Sequence, residues 1–235
     1  MKTRNQALVA VACGIFAVRA AFAGQNGPDI SVSVPRGHIL VEEELWTNLA
    51  QEPERHMGYA REAFLMVDAR TAAAELRHAA THLRISAGGA AHESKRALLQ
   101  SAHELEDLAV RTERGTVKSV GEFDLTFSRA LHVLARHHYV QATKAWEAQE
   151  ARRAGQHIRA AADNLEWAAA RAGQSTQAAT REVIKDSRLL SGKLIEGTGF
   201  VVDEVGMGFE KFAKQVEHLG QKIENPKVTS KPAKP

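Results

Sequence analysis

Apolar residues recur at three- and four-residue intervals along most of the chain. Leu76, Ala79, Ala80 and Leu83 form one stripe, and Ile158, Ala161, Ala162 and Leu165 form another. That spacing is the 3.6-residue period of an amphipathic helix. Alanine is plentiful, and between Gly37 and Pro226 the single proline is Pro53, placed where the first turn of a helix tolerates it, so the body of the chain reads as helix throughout.

The two stripes are related. At an offset of 82 residues His56 matches His138, Phe64 matches Trp146, Asp68 matches Glu150, Arg70 matches Arg152, Leu76 matches Ile158 and Leu83 matches Leu165. Alanines at 60, 63, 69, 72, 79 and 80 fall on alanines in the same ungapped register. This predicts an internal duplication of a helical hairpin. A hairpin cannot bury its stripe alone, so the expected fold is all-α: two duplicated hairpins, 53–114 and 120–191, packed together as one four-helix bundle.

A different pattern follows at 192–224. Val202, Val205, Phe209, Phe212, Val216, Leu219 and Ile223 alternate by three and four, which predicts a C-terminal amphipathic helix with a coiled-coil-like seam. Gly192, Gly199, Gly206, Ala213 and Gly220 fall seven apart beside it. Glycine within a helix costs about 1 kcal/mol relative to alanine, so close contact with another helix is expected along that line. The seven apolar residues are the expected interaction surface, for a protein partner or for a second copy in a homo-oligomer. The mixed charges around them disfavour a membrane surface.

The ends are distinct from this body. Lys2 and Arg4, an apolar run from Ala7 to Val18, and the tripeptide Ala21-Phe22-Ala23 have the form of a secretory signal peptide over 1–23. A lead-in over 24–52 follows, extended and including a short helix, and the proline-rich stretch 225–235 is expected to be disordered. On this reading the protein is periplasmic or secreted.

Cleavage after Ala23 removes Cys13, the only cysteine, and with it disulfide and thiolate chemistry. It also removes Lys2, Arg4 and Arg19, three of the 31 basic residues, leaving 28 against 28 acidic ones. The body is therefore balanced, and nothing in its charge favours nucleic acid.

Catalytic motifs are missing: no phosphate-binding glycine loop, no G-x-S-x-G elbow and no H-E-x-x-H occur. A non-enzymatic protein without a cofactor is expected, acting by protein interaction or self-association. The 11 histidines offer an alternative, a metal- or cofactor-binding bundle. Glu75, His78 and His82 share one helical line, but His78 lies roughly 150° from the apolar stripe, which assigns these three to a solvated face. His56 and His138, the matched pair, lie on the inward stripe and are the candidate metal ligands.

Overall fold

The computed structural model describes residues 8–12, 16–18, 38–173 and 177–224. Residues 24–37 of the lead-in and all of the tail 225–235 lie outside the described residues. The body is helical, with seven helices among the described residues: α1 (Glu43–Leu65), α2 (Ala69–Gly88), α3 (His92–Glu113), α4 (Val120–Glu147), α5 (Ala151–Arg171), α6 (Ala178–Glu196) and α7 (Val202–Glu224). Ahead of them, β1 (Leu8–Ala12) pairs antiparallel with β2 (Phe16–Val18) and with β3 (His38–Glu42), in the order β2-β1-β3. These strands were not expected. Their short apolar runs include four valines, one isoleucine and one phenylalanine, residue types that suit a pleated surface.

A second difference lies at Pro53. Instead of opening a helix, it sits inside α1, which runs unbroken from Glu43. Proline brings no N–H, so the Leu49 carbonyl lacks its usual helical donor. The Pro53 ring is itself buried.

The chain divides into two units, residues 1–113 and 114–235. In the first, α2 packs against both α1 and α3. Its stripe, Ala72, Ala73, Leu76, Ala79, Ala80, Leu83 and Ala87, is buried, facing Leu98, Ala102, Leu105 and Leu108 of α3 and Met57 and Ala60 of α1. In the second unit α5 packs against α4 and α6 in the same way, and α7 closes a ring by packing on both α4 and α6.

Each unit has its own packing: α1 to α3 lie together in the first, and in the second α4 to α7 form a four-helix arrangement in which α7 packs on the predicted hairpin 120–191. The offset of 82 reappears in the geometry. α1 ends at Leu65 and α4 at Glu147; α2 starts at Ala69 and α5 at Ala151. Val67 and Gln149 both take left-handed backbone angles, φ 64° and 61°. The turn bonds match as well: Asp68 N–H donates to the Ala63 carbonyl at 2.9 Å and Glu150 N–H to the Ala145 carbonyl at 2.8 Å.

The register extends into the third helices, where identities have largely gone. Buried Thr180, Ile184, Ser187, Leu190, Ser191 and Leu194 of α6 fall on buried Leu98, Ala102, Leu105, Leu108, Ala109 and Thr112 of α3. The positional correspondence therefore spans three helices, one triplet, in each unit.

The predicted interaction seam is spent inside this bundle. Val205, Phe209, Phe212, Val216, Leu219 and Ile223 are all buried, and only Val202 is exposed. Tyr139 of α4 packs its ring against Phe209 and Phe212, with centroids 6.2 and 5.8 Å apart. Gln215 donates to Thr180 Oγ1 at 2.8 Å, and His132 Nε2 donates to the Val216 carbonyl at 2.8 Å. α4 and α6 thus cover all of this seam but Val202.

The glycine line is only partly explained by close approach. A methyl group on Gly220 would lie 2.7 Å from the His132 ring, but Gly192 and Gly206 face open space. Gly199 lies between α6 and α7 at φ 73°. The tightest backbone crossing is instead at Gly155, where an added Cβ would come within 2.8 Å of the Ser191 carbonyl oxygen and 2.9 Å of Leu194 Cβ. Gly155→Ala should therefore cost about 1–3 kcal/mol through forced separation of α5 and α6. Gly206→Ala should stabilise by up to about 1 kcal/mol. Urea midpoints for the two variants check this, and equal shifts would refute the close-packing account.

Candidate metal centre

Where α1 and α2 run side by side, polar side chains gather on the flank of the pair. Glu52 and His56 are one turn apart on α1; Glu75, His78 and His82 follow one line on α2. The apolar stripe of α2 faces inward, and one of its polar flanks lies beside α1. Helical periodicity gives a stripe direction but not which flank a neighbouring helix covers. That is why His78 and His82 read as solvated.

His56 is the hub. Its Nδ1 lies 2.6 Å from Glu75 Oε2, and its Nε2 lies 3.5 Å from Glu52 Oε2. Its ring stacks on those of His78 and His82, with centroids 5.1 and 5.4 Å apart. Glu52, His56 and His82, all half-buried, each offer one ligand atom within 4.8 Å of the other two. Burial, followed by the nearby His56, holds His82 below the ordinary histidine range. It is thus biased toward the neutral imidazole that a metal requires. His78 is exposed at the rim.

His138 occupies the equivalent place in the second unit, with different chemistry. It is buried, and its Nδ1 lies 3.3 Å from Nδ1 of His157. His157 is the counterpart of Glu75 at the offset of 82, so the same contact between helices is made by two imidazoles. His137, also buried, places its ring 5.3 Å from that of His138. Burial drives His137 down to about 4, helped by Lys144, and His138 down to about 3, helped by His137. His157 is lowered for the same reason, with His138 and Arg153 adding to it.

Leu134 and Asn164 stand where Glu52 and His82 stand in the first unit. Of the expected pair, then, His56 belongs to a group of three converging ligand atoms, whereas His138 meets other imidazoles, with no carboxylate at the matching positions. Each finds its partners within its own unit. Among the described residues, the group around His56 is the one that brings three such ligand atoms together.

No described helix is long and apolar enough to cross a membrane. Comparison with protein families, with curated proteins and with solved structures finds no match to this chain.

Proposed function

We propose that the protein binds a divalent transition-metal ion through Glu52, His56 and His82, and does so outside the cytoplasm without catalysing a reaction. The observation that carries this reading is the convergence of three ligand atoms within 4.8 Å of one another. Two imidazoles and a carboxylate suit zinc, nickel, cobalt or copper, whereas magnesium and calcium favour oxygen ligands. Divergence of the two triplets supports it as well. The changes at positions 52, 75, 78 and 82 relative to 134, 157, 160 and 164 all place Glu or His in the first unit, against Leu, His, Ala and Asn in the second. The same reading takes the triplets as copies of one ancestral unit and residues 1–23 as an export signal.

Self-association through α7 loses its support, because that seam is covered by α4 and α6. Metal binding predicts one ion per chain by equilibrium dialysis with elemental analysis. His56→Ala and His82→Ala should each weaken binding at least about tenfold, on the scale of one lost metal contact. His138→Ala should leave the affinity of the His56 site unchanged. Traces of metal well below one per chain, or equal binding by His82→Ala, would overturn the assignment.

A further inference from the structure

We propose that Glu75 is a positioning residue that aims His56 at the metal, an inference that rests on the metal reading above. A carboxylate only accepts hydrogen bonds, so at 2.6 Å it is His56 Nδ1 that carries the proton. The neutral ring is left with its lone pair on Nε2, the nitrogen that lies 3.5 Å from Glu52. This is the carboxylate–histidine–metal relation, in which an outer carboxylate fixes the ring's tautomer and orientation and raises its basicity.

The two flanks of His56 therefore have separate jobs. Glu75 on α2 holds the ring; Glu52 on α1 and His82 on α2 complete the ligand set. The second unit retains the contact between helices but not this polarity. There His157 replaces the carboxylate, and two buried neutral rings share one proton between facing Nδ1 atoms. A rival assignment makes His56 an imidazolium bridged by Glu52 and Glu75, with a proton where the metal would sit. The two assignments respond oppositely to loss of Glu75.

Cobalt(II) titration of the full mature chain separates them, followed by its visible absorption and by competition at several pH values. Glu75→Ala should weaken cobalt binding about 10- to 100-fold. Its saturated spectrum should keep the wild-type shape, because the ligand set is unchanged. Glu75→Gln, which can still accept from Nδ1–H but carries no charge, should recover part of the loss. Undiminished affinity in Glu75→Ala would overturn the positioning role, and so would tighter binding, as expected if Glu75 stabilised a competing proton. A changed spectrum would make Glu75 a ligand, and loss of helical circular dichroism in both variants would make its role structural; either result overturns the inference. Absence of cobalt binding by the unaltered chain would instead overturn the metal reading itself.

Discussion

Lowering the pH from 7 to about 4.5 should remove on the order of 5 kcal/mol from the stability of the second unit. The cause is the buried trio His137, His138 and His157. Their folded-state values lie below the ordinary histidine value, at about 4 and about 3 for the first two. The unfolded chain therefore takes up protons from about pH 6.5 downward while the folded bundle does not. Stability is fully present above pH 6.5 and is lost progressively as the pH falls toward 4.

Each histidine contributes about 1.4 kcal/mol per pH unit in that window. The charged neighbours, Lys144 and Arg153, are both cationic and oppose protonation further. Since domains of this size are stable by about 5–15 kcal/mol, the bundle should open within the window. Hydrogen exchange resolved to α4 and α5 provides the check. Protection at pH 4.5 equal to that at pH 7 would show that the three rings are not held neutral.

Phe212→Ala should destabilise the same unit by about 3–5 kcal/mol, the usual cost of truncating a buried phenylalanine. Phe212 is fully buried and packs against Tyr139, so its loss opens the joint between α7 and α4. The urea midpoint should fall while the mass in light scattering stays that of the unaltered chain. A chain of unchanged stability but altered mass would return the seam to its original reading as an interface. The choice between packing and association is thus made by one substitution and two measurements.

The helical body and the 82-residue relation could be read from spacing alone, because apolar period and matched residue types are local properties of the chain. The third helix of each triplet could not. Leu98 against Thr180 and Leu105 against Ser187 share burial but not chemistry, and only coordinates reveal a common position of that kind. The fate of the α7 seam was ambiguous for a related reason. An apolar face records that it must leave water, and not whose surface covers it.

His56 and His138 stood out as a matched pair. Their difference in role lies with residues 19 and more positions away, such as Glu75 and His157, which helix contacts bring alongside. Glu52 gave no signal in advance, since a lone glutamate in a presumed lead-in resembles any solvated charge. Pro53, read as a helix start, concealed that Glu52 and His56 share one continuous helix.

The connection between the first two helices of each triplet keeps an uncomfortable dihedral in both units, although valine adopts it in one and glutamine in the other. For valine, whose branched Cβ crowds the backbone there, the angle is a genuine outlier. What differs is the bend's outward character: Leu65, Met66 and Val67 expose hydrocarbon to water, where the later bend carries Glu147, Ala148 and Gln149. The shape of the corner is thus dictated by how the helices meet, and its chemistry is left free to vary.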